Sequence, residues 1–188
     1  MPRPRSWELE TLWCSNQRRR RGNGWAFPPN VRKKLLELTA GQSVIHLFGG
    51  QATFGVRLDI DSRVAPDVIG DAWLPPFKRD AADVVILDPP YVALNQQMKR
   101  SLLVAAGWIA RRRVIWFHTI WIAGNAPCSP ERAWLVRVGD SCATRCLQVF
   151  RVSSSKRLPD PHFYRGPALK YNRWLGPQQE LRFALEGK

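Results

Sequence analysis

Residues 82–91 read ADVVILDPPY and decide the fold class of this chain. A short apolar run that ends in an aspartate and two prolines predicts a buried strand followed by a rigid turn. The carboxyl ends of strands form the ligand crevice of an open α/β sheet, so Asp88 and its followers should face a binding site. The prolines remove two backbone donors and leave carbonyl acceptors. Two acceptors beside the Tyr91 ring suit a planar group with an exocyclic amine.

Upstream of this strand, further apolar runs indicate more of the same sheet. Strands are expected at 43–48, 56–60 and 67–70, each followed by glycine or aspartate. A helix that Asn30 caps and Gly41 ends should precede the first of them.

Downstream, residues 95–110 are predicted to form an amphipathic helix. Its apolar stripe consists of Met98, Leu102, Leu103, Ala106 and Ile109. Strands are expected at 114–118, 133–138 and 145–152, the last two joined by a turn at 139–141. Short strands interleaved with helices predict an α/β fold with a mostly parallel sheet and an antiparallel C-terminal pair.

Length and composition limit the protein class. The chain has 188 residues, of which 45% are hydrophobic and 23% charged, as expected for one globular domain. No apolar run is long enough for a membrane span, and the start of the chain does not resemble a secretory signal. Four cysteines in this length indicate reduced thiols in a cytoplasm rather than a disulfide scaffold.

The net charge of +14 is unevenly distributed. Residues 43–91 carry four basic and seven acidic side chains, a net −3, and basic sequence flanks them on both sides. We therefore divide the chain into a basic N-terminal arm (1–24) ordered mainly on binding, a central domain (25–152) and a basic, aromatic C-terminal tail (153–188). Nucleic acid is the expected partner, also because of the arginine cluster at 111–113. The expected phosphate-binding residues are Arg18, Arg19, Arg20, Arg21, Arg165, Lys170 and Arg173.

Four motifs in order resemble those of the S-adenosylmethionine-dependent amino-methyltransferases. They are the glycine-rich turn LFGG (47–50), the acidic strand end LDID (58–61), the segment DVIGDA (67–72) and DPPY (88–91). Phe27-Pro28 is similar to a preceding segment of that family that packs on the methionine end of the cofactor. The resemblance covers roughly residues 25–152 and implies a Rossmann-like methyltransferase fold.

The resemblance also implies a set of site residues. The cofactor-binding residues would be Phe27, Pro28, Phe48, Gly49, Gly50, Asp59, Asp61, Asp71, Ala72 and Asp88. The catalytic residues would be Asp88, Pro89, Pro90 and Tyr91, with Tyr91, His118 and Trp121 lining the target-base pocket. Either Asp59 or Asp61 would bind the ribose. The cofactor would be S-adenosyl-L-methionine, and no metal is expected.

The sequence departs from the family pattern at two points. Ala52 occupies the position of the family's second glycine. Gly50 is also followed too closely by Val56 for the usual crossover helix, because a parallel connection normally needs a dozen or more residues. Either that helix is reduced to one turn, or the second strand lies elsewhere in the sheet.

The resemblance implies methyl transfer to the exocyclic amine of a nucleic-acid base, and DPPY favours adenine N6 in DNA. Adenine N6 or guanine N2 in RNA, cytosine N4 in DNA and a non-catalytic nucleic-acid-binding protein remain alternatives. Sequence preference would come from the arm, the tail, a second copy or a partner protein. The site of action would be a bacterial cytoplasm, whether the protein is bacterial or viral. His46 is expected to be a hydrogen-bonded core residue, and the cysteines buried thiols.

Overall fold

The computed structural model describes residues 10–14, 27–90, 94–119, 122, 124, 128–138 and 144–153. Within these ranges, eight strands form one sheet and two α-helices pack on it. The strands are β1 (Glu10–Cys14), β2 (Val44–Leu47), β3 (Val56–Asp59), β4 (Val68–Ile69), β5 (Ala82–Leu87), β6 (Ala110–His118), β7 (Cys128–Val138) and β8 (Thr144–Val152). The helices are α1 (Pro29–Leu38) and α2 (Gln96–Ile109). Neither helix is long and apolar enough to cross a membrane.

The sheet has the strand order β1-β7-β8-β6-β5-β2-β3-β4. All neighbouring pairs are parallel except the two that include β8. The parallel strands therefore end at one edge of the sheet, here called the carboxyl edge. The expected α/β fold with an antiparallel C-terminal pair is confirmed.

The sheet is buried on both faces because each central strand is apolar on both sides. On one face, α2 packs against alternate residues of the strands, including Val85, Leu87 and Trp116. On the other face, α1 packs against the intervening residues, including Val84 and Ile86. A parallel sheet covered on both faces is typical of α/β proteins.

The strand β5 matches its expected range of 82–87, whereas β6 and β7 begin four and five residues before their expected starts at 114 and 133. The cap of α1 was predicted wrongly: the helix begins at Pro29, and its N-cap, Pro28, makes no side-chain capping bond. Proline is favoured in the first helical position because its missing N–H has no partner there in any case. The helix α2 agrees well, since the side chain of Asn95 accepts a hydrogen bond from Met98 N at 2.9 Å.

The expected N-terminal arm also needs correction. Residues 10–14 are not outside the domain, because they form β1 and pair in parallel with β7 at the edge of the sheet. The pattern of Glu10–Cys14 is too short to identify as a strand, and the pairing of β1 depends on β7, which lies more than a hundred residues further along the chain.

The connection between β2 and β3 resolves the question of the missing crossover helix. The two strands are adjacent and parallel, with Ile45 opposite Val56 and Leu47 opposite Leu58. Residues 48–55 between them contain turns and no helix. The second strand therefore has the expected neighbour, and the crossover is reduced beyond the single helical turn that the sequence suggested.

Candidate active site

The candidate site lies where the direction of strand succession reverses. From β2 the chain adds β3 and β4 on one side, and β5 then lies on the other side of β2 and is followed by β6. Leu47 at the end of β2 is opposite Leu87 at the end of β5, so the segments after both strands begin side by side at the carboxyl edge. Ligands of open α/β sheets bind at such a reversal.

The turn after β2 brings the main chain close to β3. Phe48 and Gly50 have positive φ angles of 64° and 46°. Gly49 N donates to Leu58 O at 2.8 Å, and Ala52 N donates to Gly49 O at 2.9 Å. A Cβ atom on Gly49 would lie 2.6 Å from the Cβ of Arg57, so no larger residue fits there without movement. Ala52 is not among the residues with positive φ, so its methyl group causes no backbone strain.

The structure distinguishes the two candidate ribose ligands. Asp59, at the end of β3, is half-buried and accepts hydrogen bonds from Gly50 N at 2.9 Å and from Asp61 N at 3.0 Å. Asp61 instead caps the short 3₁₀ helix that follows, and both its oxygens contact the Arg63 guanidinium. These contacts lower the pKa of Asp61 to about 2. Asp59 therefore adjoins the glycine turn, whereas Asp61 is engaged by Arg63.

Arg57 is a contributor that sequence reasoning missed. Its guanidinium donates to the carbonyl oxygens of Gly50 and Val64 and to Asp67, so one side chain ties the glycine turn to the segment after β3. Asp67, which the sequence analysis places in a strand, therefore helps to hold Arg57 in position. No local pattern identifies Arg57, because its partners lie before and after it in different loops.

Asp71 and Ala72 follow β4 at the same edge. The Asp71 carboxylate accepts a hydrogen bond from Trp73 N at 2.9 Å, and burial raises the pKa of this carboxyl above its ordinary value. Ala72 is buried in the core on the α2 side of the sheet. The ends of β2, β3 and β4 therefore offer a tight turn and two half-buried carboxyl groups in adjacent positions.

On the other side of the reversal, Asp88 is half-buried, Pro89 is buried and Pro90 is exposed. The last residue of β6, His118, lies on the neighbouring strand, two residues beyond Trp116, which is opposite Leu87. Its burial, with a smaller contribution from the charge of Lys99, lowers the pKa of His118 to about 4. Tyr91 and Trp121 lie outside the described residues.

Phe27 lies on the α1 side of the sheet. Its ring centroid is 6.0 Å from that of His46 on β2 and 6.0 Å from that of Phe117 on β6. Pro28 accepts the hydrogen bond from Arg32 N that closes the first turn of α1. His46 is buried as expected and has a hydrogen bond with the backbone of Phe54, but its Nε2 atom has no hydrogen-bond partner, so the expectation of a hydrogen-bonded core residue is confirmed only in part.

The basic residues expected to bind phosphates, at 18–21 and at 165, 170 and 173, lie outside the described residues. Two of the three arginines at 111–113 form ion pairs with acidic side chains. Arg111 contacts Asp83 at 3.1 Å and Arg113 contacts Glu131 at 3.3 Å. Arg111 also lies near the start of β6, at the edge of the sheet opposite the candidate site.

The expectations of buried thiols and of no metal can be compared only with the described residues. Cys128 and Cys146 are buried free thiols, and burial raises the pKa of the first to about 12 and of the second to about 11. Among the residues with described positions, no group of three or more histidine, cysteine, aspartate or glutamate side chains could hold a metal ion.

Comparison with known proteins gives the fold. No protein-family profile matches the chain, and no curated protein matches it. Solved structures do match. The N-methyltransferase NodS from Bradyrhizobium japonicum WM9 is 12% identical, with 66% of this chain and 95% of that chain covered and a TM-score of 0.53. The putative methyltransferase yhhF from Escherichia coli is 16% identical, with coverage of 68% and 87% and a TM-score of 0.50.

A third match is the PH0226 protein from Pyrococcus horikoshii OT3, which is 12% identical, with 65% of this chain and 88% of that chain covered and a TM-score of 0.51. At these identities the similarity establishes the fold alone. The chain has a Rossmann-like fold of the kind found in methyltransferases, and that expectation is confirmed.

Proposed function

We propose that this chain transfers a methyl group from S-adenosylmethionine to the exocyclic amine of a nucleic-acid base, with adenine N6 in DNA as the favoured target. One observation carries the proposal. The glycine turn with Asp59 and the Asp88-Pro89-Pro90 corner begin on adjacent strands at the point where the sheet reverses direction. A cofactor half-site and an amine-binding half-site are thus neighbours.

The residues on the β2–β4 side suit this cofactor. The Asp59 carboxylate would accept hydrogen bonds from the ribose hydroxyls, and Asp71 would contact the adenine. The turn brings the backbone of Gly49 close to β3, where a side chain at that position would collide with Arg57. Phe27 and Pro28 would contact the methionine end. When bound, the cofactor supplies a methyl group on a positively charged sulfur.

The Asp88 corner would activate the acceptor amine. The lone pair of an aromatic exocyclic amine is delocalised into the ring, which makes the nitrogen a poor nucleophile. Hydrogen bonds from the amine to the Asp88 carboxylate and the Pro89 carbonyl would draw the nitrogen towards tetrahedral geometry and stabilise its developing positive charge. Such fixed acceptors are worth about 3–4 kcal/mol each. Tyr91 would stack on the base, which must leave any duplex it belongs to.

The charge of the protein supports a nucleic-acid substrate. The formal net charge is +14, whereas the segment that contains the candidate site is acidic. Basic surroundings attract polyanions and reduce the cost of approaching phosphates. The cytoplasm, where such substrates and the cofactor occur together, is the proposed site of action.

A second candidate function is nucleic-acid binding without methyl transfer. The observation that favours it is the helix-free connection at 48–55, because this segment contains the glycine turn on which cofactor binding depends. Cofactor binding separates the two candidates, since a protein that only binds nucleic acid shows no heat of binding with S-adenosylmethionine in calorimetry.

The proposed function is tested by incubating the protein with S-adenosylmethionine labelled in the methyl group and with separate DNA and RNA pools. Digestion of the labelled pool to nucleosides then identifies the modified base. N6-methyladenine in DNA is the expected product. A different methylated amine would change the target base but not the type of reaction. Label in neither pool would refute the proposal.

The catalytic role is tested by a matched pair of substitutions at the two ends of β5. Asp88→Asn should reduce methyl transfer at least a hundredfold, as expected for loss of a fixed electrostatic group. Asp80→Asn makes the same chemical change at the far edge of the sheet, and asparagine tolerates the positive φ of 55° found there. Asp80→Asn should retain activity. Equal activities of the two variants would contradict the role of Asp88.

A further inference from the structure

Lys99 is a buried cation in the first turn of α2. It is 6% exposed, and it shares the inward side of the helix with Leu102 and Leu103, which are fully buried. None of the ion pairs within the described part of the chain includes Lys99. Removing most of a charged side chain from water without a counter-charge is costly, so an anion that reaches the ammonium would stabilise it.

The amino end of α2 also favours an anion. The first N–H groups of a helix lack intrahelical acceptors and carry partial positive charge. Asn95 satisfies the N–H of Met98, but helix geometry leaves those of Gln96 and Gln97 without helical partners. The first turn contains no acidic residue that would neutralise this end.

Both features lie at the carboxyl edge, beside the proposed amine-binding corner. The helix α2 follows β5 and the Asp88 corner, so its amino end is at the edge where β5 ends. Helical side chains lean towards the helix amino end, which directs the Lys99 stem to that edge. The charge of Lys99 contributes to the lowered pKa of His118, the last residue of β6, which agrees with an ammonium near the carboxyl edge. Since His118 is neutral near pH 7, it brings no competing charge.

We propose that Lys99 and the amino end of α2 form a phosphate-binding subsite that holds the sugar–phosphate backbone next to the target base. This inference rests on the proposed function, because it identifies the group that positions the substrate of that site. A phosphate is the anion that a nucleic acid offers within one nucleotide of the base. The subsite would hold the backbone while the amine is held at Asp88.

The test is binding of a fluorescein-labelled single-stranded oligonucleotide, measured by anisotropy at several salt concentrations. Lys99→Met keeps an unbranched apolar side chain of nearly the same length and removes the charge. It should raise Kd about tenfold, equal to ~1.4 kcal/mol, and reduce the slope of log Kd against log salt by about 0.7. Lys33→Met, an equal loss of charge on the exposed side of α1, should raise Kd about twofold or less.

The fold of the variant is checked by thermal unfolding, where methionine in apolar surroundings should maintain the melting temperature. Lys99→Arg, which keeps the charge, should retain most of the affinity. In methyl-transfer assays, Lys99→Met should raise the KM for an oligonucleotide and leave the rate with free deoxyadenosine unchanged, because the nucleoside has no phosphate. Equal Kd values for Lys99→Met and Lys33→Met would overturn the proposal.

The outcomes separate this inference from the proposed function. Binding is measured without the cofactor, so a Lys99 effect on affinity would stand even if no methyl transfer is found. Conversely, methyl transfer that depends on Asp88 but binding that does not depend on Lys99 would refute only the subsite. Deoxyadenosine monophosphate and an unlabelled oligonucleotide are then compared as competitors of the labelled oligonucleotide. If both displace it at the same concentration of phosphate groups, the assignment to the nucleic-acid backbone is wrong.

Discussion

At the scale of single residues, two buried histidines are kept neutral by their surroundings. His46 is 1% exposed and is enclosed by aromatic rings, with Phe54 at 4.8 Å between centroids. Burial is the main cause that lowers its pKa to about 4, and a hydrogen bond with the backbone of Phe54 opposes the shift. The neutral imidazole is therefore the form that the folded state accepts, while an unfolded chain would protonate it near pH 6.5.

This pKa difference predicts loss of stability in acid. Between about pH 6.5 and pH 4 the unfolded state binds a proton at His46 that the folded state does not, so the free energy of unfolding falls as pH falls. The full contribution is up to about 3 kcal/mol. His46→Leu should lose less stability than the unsubstituted protein between these pH values. Urea unfolding near both pH values measures the difference, and parallel losses in both proteins would contradict the prediction.

At the scale of elements, the connection between β2 and β3 combines a sharp turn with close packing. Two positions, Gly41 before β2 and Gly49 after it, require glycine for different reasons. Gly41, after α1, has a φ of +70° and open space around it, so only its backbone conformation requires glycine. Gly49 is restricted by space, because a Cβ atom would contact Arg57.

These two glycines provide a matched comparison. Gly49→Ala should destabilise the fold by about 1–3 kcal/mol, since the turn or β3 must move, and should abolish binding of S-adenosylmethionine. Gly41→Ala should cost about 1 kcal/mol through its positive φ and leave cofactor binding unchanged. Thermal unfolding and titration calorimetry measure both effects. Normal cofactor affinity in Gly49→Ala would show that the turn does not shape the binding site.

At the scale of the whole molecule, the sheet carries the architecture and the helices are few. In the described ranges only α1 and α2 cover the sheet, and the connections at 48–55 and 70–81 contain no α-helix. The residues of the candidate site are nevertheless held in place. They directly follow strands, and the pairing of these strands within the sheet fixes their relative positions. A ligand that spans several strand ends should therefore stabilise the entire domain.

The expected ligand effect is a rise in melting temperature with S-adenosylmethionine. At a hundred times Kd, binding adds about 2.7 kcal/mol, which corresponds to roughly 5–10 °C for a chain of this size. Asp59→Asn should remove most of this rise, because the group expected to hold the ribose loses its charge. Asp61→Asn should retain it, since Asp61 is engaged by Arg63. The reverse order of the two variants would assign the ribose to Asp61.

Much of the fold could be predicted because its signals are local. The apolar run before Asp88 and the apolar stripe of α2 each depend on residues close together in sequence, and the structure confirms both. The strand β1 could not be predicted, since a short edge strand exists only through its partner. The burial of Lys99 could be predicted, because this residue occupies a position on the apolar stripe of α2, where a lysine is unusual.

The sequence by itself determined the class of the fold, the order of the motifs and the acceptor groups after β5, because hydrophobic periodicity and proline act over neighbouring residues. Only the tertiary structure decided which strands are adjacent, that Asp59 rather than Asp61 adjoins the glycine turn, and that the arginines at 111–113 lie away from the site. These outcomes depend on contacts between residues far apart in the chain. Such contacts arise when the sheet assembles, and no local pattern encodes them.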